Sequence, residues 1–251
     1  MDILASAPFG TLGYAFLGGV LPPLVWLYFL LKEDDRCPEP LPCLLIAFIS
    51  GMLAVPFALL LETLLRDYAY IAYAGCSEYA PLCVPIILGW SVIEETLKYV
   101  LVALLVLWRA DVNEPIDLVI YMLTAALGFA ALENVLFLIV PFANGDVLMG
   151  LQTGNLRFIG STLLHVMASS AVGFALAFSL NFLKPLRAFF AIAGLILAIA
   201  LHALFNFFII QGDGVYTLFA FLIVWTAAVA FFALFETLRY VRYRNLPKNV
   251  C

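Results

Sequence analysis

Leu44-LIAFISGMLAVPFALLLETL-Leu65 is the stretch whose reading decides the fold. From Leu44 to Leu61 it holds no charge, and Glu62 is the one ionisable group of the run. At about 1.5 Å of rise per residue, such a segment crosses roughly 30 Å of hydrocarbon as a helix. A membrane β-strand would instead alternate apolar and polar residues over about ten positions. Six further runs of the same kind flank it, so the seven expected spans lie near Leu12–Leu31, Leu44–Leu65, Val84–Trp108, Asp117–Val140, Phe158–Phe182, Ala188–Ile210 and Val215–Tyr240. Short connections with turn residues separate them, among them Asn113-Glu114-Pro115, Asn144-Gly145-Asp146 and Gly212-Asp213-Gly214.

Composition agrees. Of 251 residues, 65% are apolar and 12% charged, against about half and about a quarter in an ordinary soluble domain. The mean hydropathy is +1.09. A soluble globular domain and a disordered chain are excluded, and a formal charge of −5 gives no basic footprint for nucleic acid. The expectation is an all-α, polytopic transmembrane helix bundle of about seven spans, with a range of six to eight. It forms a single integral membrane domain over residues 1–251, with the lipid bilayer as its surroundings.

Orientation follows from the basic residues. Lys32, Arg36, Arg109, Lys184, Arg187, Arg239, Arg242, Arg244 and Lys248 fall on one side, and Arg66 and Arg157 on the other. This predicts the N-terminus outside and the C-terminus in the cytoplasm. Cys76 and Cys83 then share an outer loop, where an oxidising exterior permits a disulfide. Cys37 and Cys43 are expected to be cytoplasmic thiols, and Cys251 ends the chain without forming a prenylation box.

A charge at the bilayer centre costs about 2.5–3.5 kcal/mol even on the lenient insertion scale, so each intramembrane polar group needs a reason. Glu94, Glu95 and Lys98 lie in the third span, Glu133 and Asn134 in the fourth, His165 in the fifth, and His202 and Asn206 in the sixth. Counted from the outer ends of alternating spans, Glu94, Glu133, His165 and His202 all fall roughly 10–15 Å deep. Scattered polar residues would not share a level, whereas one site below the outer face requires it. Glu94 and Lys98 share a helix face at i,i+4, as do His202 and Asn206. Glu62 is expected to reach the outer interface, and Arg157 to anchor there.

A buried carboxylate can hold and deprotonate a water. His165 or His202 can orient that water or act as the acid, and His202 with Asn206 can donate to an oxyanion. The set Glu94, Glu95, His165, His202 and Asn206, supported by Lys98, Glu133 and Asn134, thus suits hydrolysis of a carbonyl compound, with a peptide bond the obvious substrate in a membrane. No cofactor is favoured, since no tight metal-ligand motif is present. A zinc-dependent protease would use His165 and His202 with Glu94 or Glu133. A non-catalytic membrane scaffold or assembly subunit would keep the histidines as structural hydrogen bonders. A proton-coupled transporter would use Glu and His as a relay, but should show repeats with broken half-helices, which are not visible.

Trp90-Ser-Val-Ile-Glu94-Glu95-Thr-Leu-Lys98 resembles the EExxK motif of the PrsW family of intramembrane proteases. Asn113-Glu114-Pro115-Ile-Asp117 followed by Gly128-Phe129-Ala-Ala-Leu132-Glu133-Asn134 is similar to that family's next block. Arg157 through His165, and His202-Ala-Leu-Phe-Asn206, complete the pattern between Lys32 and Phe208. The family is distantly similar to type II CAAX prenyl endopeptidases and to the APH subunit of γ-secretase. The resemblance implies an intramembrane endopeptidase in the plasma membrane of a prokaryote. Its substrate would be a membrane-anchored protein cut near the extracytoplasmic side, such as an anti-sigma factor in site-1 cleavage. It also implies Glu94 as the catalytic glutamate with Glu95 beside it, and His165, His202 and Asn206 as the remaining catalytic or oxyanion positions.

Overall fold

The structure, a computed structural model, describes residues 9–32, 38–72, 83–109, 112, 114–212 and 214–243. Among them every regular element is helical. In chain order they are α1 (Phe9–Lys32), α2 (Leu41–Ala72), α3 (Val84–Val102), α4 (Pro115–Ala143), α5 (Val147–Leu156), α6 (Thr162–Ser179), α7 (Lys184–Ile210) and α8 (Gly214–Tyr243). A π turn, Ala103–Leu107, extends α3, and a second, Arg157–Ser161, joins α5 to α6 into one rod. Seven rods result among the described residues, as the composition predicts. Six are long and apolar enough to cross a membrane. The remaining rod is α3, whose apolar stretch is interrupted by Glu94, Glu95 and Lys98.

α4 is the axis of the bundle, packed chiefly against α1, α2 and α6. Every residue from Ile116 to Ala131 is buried, as expected of a helix that is apolar all round. Between apolar helices in lipid the attraction is packing, which favours small residues at the contact. Gly51 of α2 and Gly128 of α4 make this contact reciprocally. A Cβ on Gly51 would lie 1.8 Å from the Ala125 carbonyl oxygen, and one on Gly128 would lie 1.9 Å from that of Phe48. α3 rests on α2 and α7, and α7 on α6 and α8. The outer faces carry exposed Phe57, Leu60, Ile192, Ile196, Leu218 and Val229, a surface suited to hydrocarbon rather than water.

Local signals set the helix ends. α4 starts at a capping box, with Pro115 in the first turn and the Glu114 backbone N–H donating to Asp117 Oδ2 at 2.8 Å. The expected turn Asn144-Gly145-Asp146 is present. Gly145 takes a φ of 74°, and Asp146 Oδ1 accepts from the Met149 N–H at 2.9 Å to start α5.

α5 corrects the sequence reading, which starts the fifth span at Phe158. The segment Val147–Leu156 carries Gln152, Thr153 and Asn155 and looks like a loop, yet it is helical. The cap at Asp146 and the contact of Gly150 with the Phe142 ring account for it. Cys43 is buried, and Cys83 is buried just before α3. Cys37, Cys76 and Cys251 lie outside the described residues, as do Arg36, Arg244 and Lys248.

Candidate active site

One cavity of about 580 Å³ collects the polar residues of five rods. Glu62 enters it from α2, Trp90 and Glu94 from α3, and Glu133 from α4. Arg157, Ser161 and His165 come from the second π turn and α6, and His202 and Asn206 from α7. Apart from Thr217 of α8, the rest of the lining is apolar, including Val55, Phe129, Leu136, Phe205 and Phe221. Trp90, Glu94 and Lys98 follow one another at i,i+4, so a single face of α3 supplies an indole, a carboxylate and an ammonium. α3 is held against α2 here by close contact. A Cβ on Gly89 would come within 2.2 Å of the Leu65 side chain.

Behind the cavity wall lies a saturated layer. Glu95 is 1% exposed and Lys98 fully buried. Glu95 Oε1 accepts from Lys98 Nζ at 2.6 Å and from His202 Nδ1 at 2.8 Å, and Glu95 Oε2 accepts from Ser169 Oγ at 3.2 Å. Lys98 Nζ also donates to His165 Nδ1 at 2.8 Å and stands 4.3 Å from the centre of the Phe129 ring. An ammonium can only donate, so the neutral His165 ring carries its proton on Nε2 and gives it to Glu133 Oε2 at 2.8 Å. In His202 the Nδ1–H donates to Glu95, and Nε2 lies 3.9 Å from Glu94 Oε2.

The layer continues through Arg157, which ion-pairs with Glu133 Oε2 through Nη2 and donates to Asn134 Oδ1 through Nε. Asn134 Nδ2 donates in turn to Thr162 Oγ1 at 3.0 Å. The π turn Arg157–Ser161 spans this contact, in keeping with the tendency of such turns to occur at functional sites. Glu94 differs from its neighbours. Its Oε2 is buried without a hydrogen-bond partner, 3.8 Å from Lys98 Nζ. Among the described residues, the other buried side-chain polar atoms in that condition are Glu62 Oε1 and Trp90 Nε1, and both residues line the same cavity.

The family model described as "PrsW family intramembrane metalloprotease" matches residues 39–242. The chain belongs to the PrsW family of intramembrane proteases. Two curated relatives agree. Protease PrsW of Clostridioides difficile is 27% identical over 76% of this chain and 77% of its own length. Protease PrsW of Geobacillus kaustophilus is 26% identical over 84% and 87%. No solved structure matches the chain. The resemblance read from the four motifs is therefore established, and with it a membrane peptidase.

In this PrsW family member the cavity brings together Glu94, Glu133, His165, His202 and Asn206 of the residues expected at a site. Glu95, Lys98 and Asn134 stand behind it and hold the others in place. Two residues assigned elsewhere by sequence belong to it. Glu62, expected at the interface, lines the cavity together with Glu94. Arg157, expected to anchor at the interface, is partly buried against Glu133 and lines the cavity. Trp90 and Ser161 complete the lining. Trp90 could have been found from its i,i+4 spacing to Glu94, whereas Glu62 offered only its charge within an apolar run.

The metal named in the family description can be tested against this donor set. Glu94, His165 and His202 present ligand atoms that all lie within 4.8 Å of one another. This is a His2Glu set of the kind that binds zinc with one position open. Glu94 and His202 both line the cavity, and Glu95 orients His202 as an outer carboxylate orients a metal-bound histidine. The set fits a zinc ion on the condition that His165 exchanges Lys98 or Glu133 for it, since both its ring nitrogens are engaged.

Proposed function

We propose that this PrsW family protease hydrolyses a peptide bond of a membrane-anchored protein with Glu94 as the base that activates water. The observation that carries the reading is the partnerless Glu94 Oε2, set between His202 Nε2 and Lys98 Nζ. A water bound there gives one hydrogen to Glu94 and the other to His202 Nε2. As the water oxygen attacks the carbonyl carbon, its proton passes to Glu94. The Asn206 amide, on the same helix face as His202, donates to the oxyanion. Glu94 hands its proton to His202, and the protonated ring stabilises the oxyanion and then delivers the proton to the departing nitrogen. Glu95, Lys98 and His165 keep these groups in register.

A second reading has its own observation, the convergence of Glu94, His165 and His202. A zinc ion on those three residues would polarise the carbonyl and lower the pKa of a bound water. The metal-free reading is preferred because the buried Lys98 ammonium lies 2.8 Å from His165 and 3.8 Å from Glu94, where its charge opposes that of a dication.

The chain is one domain with its N-terminus outside, so that the cavity lies toward the extracytoplasmic face of a prokaryotic plasma membrane. Resemblance to PrsW proteases puts anti-sigma factors cut at site 1 first among substrates. Blocked labelling of Cys76 and Cys83 in intact cells by an impermeant thiol reagent, relieved by reduction, supports that orientation and their disulfide. The mechanism is tested on purified protein and a synthetic single-span peptide. Glu94→Gln should abolish cleavage, and wild-type activity should survive a chelator. Cleavage by Glu94→Gln at the wild-type rate overturns the reading, and chelator loss restored by zinc selects the metal.

A further inference from the structure

Three residues that line one cavity each hold a buried polar atom without a partner, and the mechanism uses only Glu94 Oε2. The other two, Glu62 Oε1 and Trp90 Nε1, flank it from neighbouring helices. Glu62 lines the same cavity as Glu94, and Trp90 precedes Glu94 by one helical turn. The contact of Gly89 with Leu65 brings those stretches of α2 and α3 together. An indole N–H is a donor only, and a carboxylate oxygen is an acceptor. Each unpaired polar group in an apolar site is costly, so the pair is expected to have a ligand with the complementary pattern.

A peptide backbone has that pattern, with a carbonyl for Trp90 and an N–H for Glu62. A helical substrate does not offer it, because its own i→i−4 hydrogen bonds consume those groups. We propose that Trp90 and Glu62 are positioning residues that hold the substrate backbone unwound beside Glu94, the indole N–H donating to one substrate carbonyl and the Glu62 carboxyl accepting one substrate N–H. The substrate class is then a transmembrane or juxtamembrane segment in extended form at the cleaved bond. The apolar wall formed by Leu136, Phe205 and Phe221 receives its side chains. The inference rests on the peptidase reading, and it holds whether water is activated by Glu94 alone or with a metal.

The experiment uses the full-length protein and a synthetic single-span peptide that wild type cleaves, its scissile bond mapped by mass spectrometry. A set of the same peptide is made in which one amide near that bond at a time becomes an ester, which removes one N–H. Wild type should lose about tenfold in kcat/KM at one ester position. In Glu62→Leu that position should become silent, because the loss has already occurred in the protein. Glu62→Gln, which keeps an acceptor oxygen, should restore the dependence and thereby report a folded enzyme. Trp90→Phe, which keeps a ring and removes the donor, should lower kcat/KM by about tenfold, mainly through KM. Ester losses that are the same in wild type and Glu62→Leu overturn the proposal, as does wild-type kcat/KM in Trp90→Phe. Glu94→Gln is run alongside. Its full activity would bring down the peptidase mechanism itself, a result separate from either of these.

Discussion

Glu94 and Glu95 are adjacent on α3 and meet opposite surroundings. Glu95 points into the bundle, where Lys98, His202 and Ser169 satisfy it. Glu94, about 100° away around the helix, points into the cavity with one oxygen unpartnered. The same division runs through the whole site. On one side, Glu133, Arg157, Asn134, Thr162 and His165 form a closed set of ion pairs and hydrogen bonds. On the other, Glu62, Trp90 and Glu94 each leave an atom unpaired. The difference teaches how a membrane enzyme can keep charges in an apolar interior. The saturated layer makes the charges tolerable and fixes geometry, and the few atoms it leaves unpaired are the ones available for chemistry and binding.

The largest effect on stability should come from attacking the saturated side. Glu95→Gln removes the charge opposite a fully buried ammonium, and breaking such a pair costs about 3–5 kcal/mol. The melting temperature in detergent should fall clearly, and cleavage should fall with it as His202 loses its orienting carboxylate. An unchanged melting temperature would dissolve the distinction between the two glutamates. Next comes Gly128→Ala, which forces α4 away from α2 and so separates Glu133 from Glu62. Overpacking of this kind costs about 1–3 kcal/mol. Gly13→Ala is the matching control, since a Cβ there meets nothing within 4 Å. Equal thermal stability of the two variants would contradict the packing described for the axis. The smallest effect is expected from Asn134→Ala, which frees Arg157 Nε and Thr162 at about 1–2 kcal/mol. It should lower kcat/KM by loosening Arg157 at the cavity wall, and steady-state kinetics on the single-span peptide check this.

Much of this arrangement was legible in the sequence. Unbroken apolar runs gave the helices, and the depths of Glu94, Glu133, His165 and His202 gave their meeting, because depth depends only on the count along a helix. Which way each side chain turns depends on the partners of the helix, and no run of residues states those. Glu62 therefore looked like an interfacial acid although α2 turns it toward Glu94. Glu95 was grouped with Glu94 among the site residues, although it lies behind the cavity wall. For Arg157 the reason is different. The polar start of its rod hid the helix from Val147 onward and left the arginine seemingly at an end, whereas it lies well inside Val147–Ser179. Four ordered motifs made the family readable in a chain only 24–27% identical to the curated relatives.

The central claim is that Glu94 is poised for chemistry while Glu95 holds the structure, and Glu94→Gln tests it most directly when one preparation is measured for both melting temperature and peptide cleavage. The account predicts that cleavage falls by about 10²–10⁴-fold while the melting temperature stays at the wild-type value, because the lost oxygen had no partner to lose. Retained cleavage, or a loss of stability as large as that of Glu95→Gln, would contradict it.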